Sequence, residues 1–240
     1  MSYGYIKKTI SPPFLTPQKK KKFLAIFLFL VGFSSLFSVF FPIISFQFRY
    51  SKKFDPILSP LSTKFYNKDS SILGQVSTDY TQLNNWFSQN SRSQFESTIQ
   101  QGILNSYKLS IPSLKIKDAS VVVGGSELKK SLIQYPQTAL PGQLGNAVVF
   151  GHSVLPQFFN PKSYLTIFST LFKLKQGDEI YLDFDNIKYK YLVEEMFEVL
   201  PTDLSILEQR FDGRYLTIVT CSPPGTYIRR LVVRARIVDI

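Results

Sequence analysis

YLTIVTCSPPGTYIRRLVVRAR, residues 215–236, has the pattern of two strands joined by a loop. Residues 215–220 are mostly β-branched or aromatic, and residues 231–237 are again rich in β-branched side chains, as in pleated strands. Between them, Pro223 and Pro224 lack the N–H that a ladder needs, and Gly225 accepts turn dihedrals. The stretch therefore predicts a β-hairpin.

The predicted hairpin brings a thiol and a guanidinium to one end of a sheet. Cys221, the single cysteine of the chain, ends the first strand, and Arg229 and Arg230 begin the second. The chain also has a single histidine, His152. An imidazole can activate a thiol and protonate a leaving amine, and a fixed guanidinium can stabilise an oxyanion. Each residue alone more often has a structural role, but the three in one cleft describe acyl transfer through a thioester.

The segments around these residues resemble the sortase family, over about residues 107–238. TIVTC at 217–221 is similar to the family's Thr-Leu-x-Thr-Cys signature, with Ile218 in place of the usual leucine. Nine positions after the cysteine, Arg230 and the following Leu-Val-Val resemble the start of the family's last strand. The other matching segments are LSIPSLKI at 109–116, PGQLGN at 141–146, NAVVFGH at 146–152 and KQGDEI at 175–180.

The resemblance implies a role for each residue of the candidate site. Cys221 would be the nucleophile and His152 its acid/base partner, as in other thiol enzymes. Arg230 would orient the substrate carbonyl and stabilise the oxyanion. Thr220 would position the substrate backbone, or would be a strand residue only. This chemistry needs no cofactor.

The resemblance also implies the reaction and its partners. The substrate would be a surface protein or pilin with a Leu-Pro-x-Thr-Gly-type sorting signal, cleaved after the threonine. A primary amine, from a cell-wall precursor or a pilin lysine, would resolve the thioester and so complete protein anchoring or pilin polymerisation. The expected enzyme is a cysteine transpeptidase, class C-like or unclassified within the family.

The pattern from residue 109 onward changes to a period of two, which is typical of strands. Together with the turn signals between them, these segments predict an all-β fold, a closed or nearly closed sortase-like barrel of about seven to eight strands with short helices. Residues 164–175 are predicted as a short helix. The predicted strands are 108–116, 120–123, 147–152, 179–184, 187–200, 215–220 and 231–237.

The N-terminal part of the chain predicts a membrane anchor. Residues 1–22 hold six lysines and no acid, which accounts for six of the eleven net positive charges and argues against nucleic-acid binding. Residues 23–48 contain no charge and span about 39 Å as a helix, enough to cross a bilayer. The preceding lysines predict a cytoplasmic N-terminus and an extracellular catalytic domain. A cleaved signal peptide is the alternative, but the apolar run is long and no small-residue cleavage site follows it.

Residues 49–106 are predicted to be an extracytoplasmic spacer, and residues 107–240 the catalytic barrel. Within the spacer, residues 79–104 have apolar side chains at helical spacing and predict one helix packed on the barrel. Asp55-Pro56 resembles the tip of the lid that pilin-polymerising sortases carry, although Ile57 follows where an aromatic is usual. An Asp-Pro pair is also ordinary turn chemistry.

Composition excludes several other classes of protein. A single cysteine allows no intrachain disulfide, and with a single histidine it also rules out the usual zinc clusters. Asp183 and Asp185 are explained by a turn, so no metal site is predicted. A papain-like protease usually places cysteine before histidine, whereas His152 precedes Cys221 here, and the Ser-His-Gly-Cys motif of L,D-transpeptidases is absent. A catalytically inactive scaffold on the same barrel stays open.

The two adjacent arginines pose a question of register, because neighbouring strand residues point to opposite faces. Periodicity favours Arg229 as the inward residue, since it shares the more apolar face with residues 231, 233 and 235. The family resemblance favours Arg230, which directly precedes Leu-Val-Val. We take Arg230 as the candidate.

Overall fold

The computed structural model describes residue 1 and residues 17–50, 79–86 and 106–238. Contacts divide the chain into two compact units, Met1–Phe41 and Pro42–Ile240. The predicted Asp55-Pro56 lid tip and most of the predicted helix at 79–104 lie outside the described residues.

One long helix, α1 (Pro17–Tyr50), includes Lys19–Lys22 in its first turns and contains the predicted membrane span. Its 34 residues correspond to about 51 Å of helix. Phe29, Phe33, Phe37 and Phe41 stack along one side at successive four-residue steps, with ring centroids 6.4, 6.4 and 5.0 Å apart. Lys21–Ser38 is long and apolar enough to cross a bilayer, and none of it is buried against protein. The helix therefore has the character of a membrane anchor.

Eight strands close into a barrel in the order β1-β2-β3-β4-β7-β8-β6-β5, which confirms the predicted fold class. Most neighbours are antiparallel, but β2 with β3 and β4 with β7 are parallel. The strands are β1 (Ser106–Ile111), β2 (Ile116–Val123), β3 (Leu132–Gln134), β4 (Gly145–Phe150), β5 (Glu179–Phe184), β6 (Ile187–Val199), β7 (Arg214–Ser222) and β8 (Arg229–Val238).

The two faces of β4, β7 and β8 pack against different groups of apolar side chains. Ile218 and Leu231 belong to the cluster that fills the barrel, to which every strand and the loop after β4 contribute. Val219 and Val232, one residue away, belong to a second cluster on the outer face, which Leu83 and other residues cover. A buried site on the outer face of this sheet is thus separated from the barrel interior by one layer of backbone.

Some sequence-based boundaries are wrong, for identifiable reasons. The predicted strand 108–116 is interrupted after Ile111, because Pro112 begins a 3-10 turn (Pro112–Leu114) and Lys115 takes a left-handed φ of 58°. The second strand therefore begins at Ile116 rather than at residue 120. The three-residue strand β3 was not predicted, since so short a segment carries too little periodicity.

The predicted helix at 164–175 is also wrong. This segment consists of turns followed by a single 3-10 turn, Leu171–Lys173. Hydroxyl groups compete with helical hydrogen bonds here, because Thr166 Oγ1 donates to Asn160 O and Ser169 Oγ accepts the backbone N–H of Val154. Ile167 and Phe168 nevertheless face the core and are at most 1% exposed, whereas Leu165 is 42% exposed.

Candidate active site

Three strand ends bring the predicted site residues to one place. In the β7–β8 ladder Cys221 lies directly opposite Arg230. The parallel β4–β7 ladder ends with Phe150 opposite Val219, so β4 ends two residues before the predicted end at His152. The two residues beyond the strand bring His152 to the level of Cys221. Parallel strands end at the same edge of a sheet, and this edge carries the thiol, the imidazole and the guanidinium.

The Cys221 thiol is buried on the outer face of the sheet. Its residue is 1% exposed and belongs to the same apolar cluster as Val219 and Val232. Burial raises the pKa of Cys221 to about 11, and the nearby Arg230 charge opposes this rise. In the arrangement seen here the thiol is therefore protonated at neutral pH.

His152 is 6% exposed and its ring is largely removed from water. Burial lowers the pKa of His152, and the carboxylate of Asp79 opposes that effect. The imidazole is thus neutral near pH 7 and able to accept a proton. Nδ1 is buried and finds no hydrogen-bond partner among the residues that the structure describes.

Arg230 is a buried cation that is held by carbonyls and an aromatic ring. Its Nη1 donates to the carbonyls of Tyr227 and Arg229, each at 3.3 Å, and Nη2 donates to Trp86 O at 3.5 Å. The guanidinium carbon lies 4.8 Å from the centre of the Trp86 ring. Within the described residues no carboxylate forms an ion pair with it. The charge is therefore available to a thiolate or an oxyanion.

The two arginines lie on opposite faces, as alternation requires. Arg230 is 4% exposed and faces the outer cluster with Cys221, whereas Arg229 is partly exposed and shares the face of Leu231. The periodicity argument identified the face of Arg229 correctly as the apolar barrel interior. It pointed to the wrong arginine for this pocket, because the thiol lies on the outer face.

Thr220 precedes the cysteine and points to the opposite side of β7. It is 1% exposed, and its hydroxyl donates to the carbonyl of Gly151 at 2.8 Å. Its predicted contact with substrate stays a prediction. The contact present here joins β7 to the residue before His152.

Residues 79–86, which we call the cover segment, lie over the site. Leu83 and Trp86 are at most 2% exposed, and the Trp86 ring packs edge-on against Phe150 beside Arg230. Tyr80 stacks on Tyr227 with ring centroids 3.9 Å apart. The sequence predicted that this apolar stripe packs on the barrel; its position against the candidate site was not predicted.

Backbone hydrogen bonds dock the cover segment on the loop between β2 and β3. Leu83 N donates to Ser126 O and Leu128 N donates to Thr81 O, both at 2.8 Å, around a bridge between Gln82 and Glu127. The segment is itself folded by Trp86 Nε1, which donates to Tyr80 O at 2.8 Å. Instead of the predicted α-helix, residues Leu83–Trp86 form one 3-10 turn.

Comparisons with known proteins agree with this geometry. The sequence model of the sortase domain matches residues 109–238, which is more than half of the chain and includes His152, Cys221 and Arg230. The chain belongs to the sortase family. Members of this family are cysteine transpeptidases, and residues 106–238 form the sortase barrel.

The relatives with curated descriptions are sortase A proteins. The chain is 28% identical over 134 residues to sortase A of Bacillus anthracis, covering 55% of this chain and 59% of that one. It is 31% identical over 124 residues to sortase A of Staphylococcus aureus (strain NCTC 8325 / PS 47), covering 44% and 57%. The matches span less than two thirds of the length of these sortases.

Solved sortase structures share the barrel. Sortase C-1 from Actinomyces oris superposes with a TM-score of 0.52 at 26% identity, covering 62% of this chain and 84% of that chain. Sortase A from Corynebacterium diphtheriae superposes with a TM-score of 0.50 at 27% identity, covering 64% and 72%.

Proposed function

We propose that this sortase is a membrane-anchored transpeptidase that cleaves a Leu-Pro-x-Thr-Gly-type sorting signal through a thioester on Cys221. The observation that carries the proposal is the pairing of Cys221 with Arg230 across β7 and β8, with His152 at the same edge. A buried guanidinium without a carboxylate partner among the described residues is a fixed positive charge beside a nucleophile. That arrangement suits a reaction in which negative charge develops on a carbonyl oxygen.

The first half-reaction would form the thioester. His152 takes the proton of the Cys221 thiol as the sulfur attacks the carbonyl carbon of the Thr–Gly bond. Arg230 stabilises the resulting oxyanion. When the tetrahedral intermediate collapses, the C–N bond breaks and His152 returns its proton to the leaving glycine amine. The products are the acyl-enzyme and the released C-terminal peptide.

The second half-reaction would transfer the acyl group to an amine. A neutral amine attacks the thioester carbonyl and His152 accepts the excess proton. As the C–S bond breaks, His152 passes this proton to the sulfur, which restores the thiol and the neutral imidazole. Arg230 faces the same oxyanion again. Sorting-signal-bearing surface proteins or pilins would supply the acyl group, and a cell-wall amine or a pilin lysine would accept it.

The buried state of the thiol sets a condition on this reaction. With a pKa of about 11, only about one thiol in 10⁴ would be ionised at pH 7. Substrate binding in place of the cover segment would add a carbonyl group between the thiol and the nearby Arg230 charge, so proton transfer to His152 becomes less costly as the bond to carbon forms.

The proposal is tested by looking for the covalent intermediate. Full-length protein in detergent is mixed with a peptide that contains a Leu-Pro-x-Thr-Gly core, and intact mass is measured after an acid quench. We expect a mass gain equal to the peptide up to its threonine, together with a released fragment that begins with glycine. Peptide binding without either product would favour the inactive scaffold.

We also propose that the N-terminus lies in the cytoplasm and that the barrel lies outside the cell. Lys19–Lys22 precede the apolar run, and lysines stay preferentially on the cytoplasmic side. Protease added to intact cells should therefore digest the barrel and leave an N-terminal tag on residue 1 protected. Digestion of the tag, with a protected barrel, would reverse the orientation.

The cover segment leads to a prediction about thiol reactivity. Tyr80→Ala removes the stacking on Tyr227, worth about 0.5–1.5 kcal/mol, without opening a cavity under Trp86. We expect iodoacetamide to alkylate Cys221 about 2- to 10-fold faster in this variant. The midpoint of the pH–rate profile of alkylation should lie below the pKa of about 11 that Cys221 has in the native protein. Tyr181→Ala, which removes a partly exposed tyrosine bonded to Glu179, is the matched control. Equal rates in all three proteins would mean that residue 80 does not control access to the thiol.

A further inference from the structure

The parallel ladder between β4 and β7 ends just before the candidate site. Its last paired residues are Phe150 and Val219, and the backbone continues with one more bond, from Gly151 N to Val219 O at 3.1 Å. In a continued parallel ladder the next two acceptors would be the carbonyls of Gly151 and Cys221, and the donors would be the backbone N–H groups of Cys221 and Ser153.

Hydroxyl groups occupy these two acceptors in the structure. Thr220 Oγ1 donates to Gly151 O at 2.8 Å, and Ser153 Oγ donates to Cys221 O at 3.1 Å. Both side chains are buried, Thr220 at 1% and Ser153 at 2% exposure. A side-chain hydroxyl reaches further than a backbone N–H, so the segment after Gly151 stays bonded to β7 where it leaves the sheet. The two bonds run in opposite directions: β7 donates one, and the segment after β4 donates the other.

These bonds hold the backbone on both sides of His152. Gly151 precedes it and Ser153 follows it, while the carbonyl of His152 itself accepts the backbone N–H of Phe168 at 3.2 Å. The ring gains no comparable support, since Nδ1 has no partner among the described residues. A general base is usually oriented by a third group that bonds its second ring nitrogen. Here that task falls to the backbone.

Close packing at Gly151 limits any other path of this chain. A Cβ added at that position would lie 2.2 Å from the Phe168 ring and 2.7 Å from Leu132. The backbone of Gly151 therefore rests directly on the core, and the Thr220 hydroxyl fixes its carbonyl from the other side. His152 can move only if this packing or the two hydroxyl bonds change.

We propose that Ser153 and Thr220 are positioning residues, whose reciprocal hydrogen bonds continue the β4–β7 ladder past its end and hold His152 at the level of Cys221. The proposal rests on the proposed function. Both hydroxyl groups bond to backbone carbonyls, one of Cys221 itself and one of the residue before His152, so both act through the backbone. It also gives Thr220 a role that differs from substrate contact.

The test is a set of variants that remove or restore the hydroxyl groups. Thr220→Val keeps the shape and suits a strand, and Ser153→Ala removes one small polar group. A misplaced base costs up to about 10²-fold in rate, so we expect kcat to fall about 10- to 10²-fold in each variant, with KM within about twofold. Thr220→Ser, which restores a hydroxyl, should recover kcat to within a few-fold. The double variant should lose much less than the product of the two single losses, because both bonds support one loop.

Thr217→Val is the matched control. Thr217 lies on the same strand, is fully buried, and its hydroxyl donates to Asn146 Oδ1 on β4 at 2.8 Å, away from the site. It should keep kcat within about twofold even if its unfolding temperature falls as far as that of Thr220→Val. If kcat follows thermal stability across all these variants, the hydroxyls are only structural and the proposal is wrong.

Other outcomes separate this proposal from the function on which it rests. Unchanged kcat in Ser153→Ala and Thr220→Val, with an active parent protein, would overturn the positioning role and leave the transpeptidase proposal intact. A rise in KM alone for Thr220→Val would replace positioning by substrate contact. A parent protein that forms no acyl-enzyme with any sorting peptide would overturn both.

Discussion

Cys221→Ala is expected to abolish acyl-enzyme formation and amine transfer while the barrel stays folded. The thiol is the only group at this strand end that can form a thioester, and no second cysteine exists in the chain. Removing the buried sulfur atom leaves a small cavity, with a cost of roughly 1 kcal/mol, well within the stability of a domain of this size. Circular dichroism and intact-mass measurements on the same sample would check the two parts of the prediction.

Cys221→Ser should be almost as inactive as the alanine variant. A hydroxyl is far less acidic than a thiol, and burial already raises the pKa of the native thiol to about 11. The serine variant therefore controls for shape, because it keeps the size and polarity of the side chain. A mass gain in either variant would show that another residue carries the acyl group.

His152→Ala should also form no acyl-enzyme at neutral pH. In the native protein burial lowers the pKa of His152, so the neutral base persists to a pH below its ordinary range. Activity should accordingly fall on the acid side only at that lower pH, as the imidazole becomes protonated. Asp79→Asn removes the charge that opposes this shift, so the loss of activity on the acid side should occur at a still lower pH. A loss that begins at a higher pH instead would show that Asp79 does not interact with His152.

Strong local patterns made much of the barrel predictable from the sequence. β7 and β8 carry β-branched runs. The turn predicted at Asp185 is present between β5 and β6, where Asp185 and Asn186 adopt left-handed φ angles of 53° and 59°, as Asp and Asn do readily. The sequence did not predict strand β3, because residues 132–134 form a strand through their pairing with β2 and β4 and show too little periodicity of their own. Tertiary contacts, not propensity, decide such segments.

The site was predictable in its residues but not in its surroundings. Cys221 and Arg230 could be paired from the hairpin pattern, and His152 from the motif that ends β4. The contact of Trp86 with Arg230 joins positions 144 residues apart, and no local pattern indicates it. The reciprocal bonds of Ser153 and Thr220 depend on β4 and β7 lying side by side, which the sequence did not establish.

The geometry of the two arginines gives the second large expected effect. Arg230 lies opposite Cys221 on the same face, is buried, and presents a charge that is bonded only to carbonyls within the described residues. Losing a fixed oxyanion donor typically costs ~10²–10³ in turnover. We therefore expect Arg230→Ala to lose about that much in kcat. Arg230→Lys should recover little, because an ammonium lacks the planar fork of donors and cannot reach the three carbonyls and the substrate together.

Arg229→Ala is the matched control, since it removes the same charge one residue away on the other face. Arg229 is partly exposed, and only its backbone carbonyl bonds to Arg230, so truncating its side chain leaves that contact in place. Turnover should stay within a few-fold of the parent protein at constant ionic strength, which separates local stabilisation of an oxyanion from a general loss of positive charge. Steady-state transfer assays with a sorting peptide and an amine would measure both variants. The reverse ranking would mean that the substrate carbonyl meets the barrel-interior face of β8, and that the outer pocket beside Trp86 is not where the thioester forms.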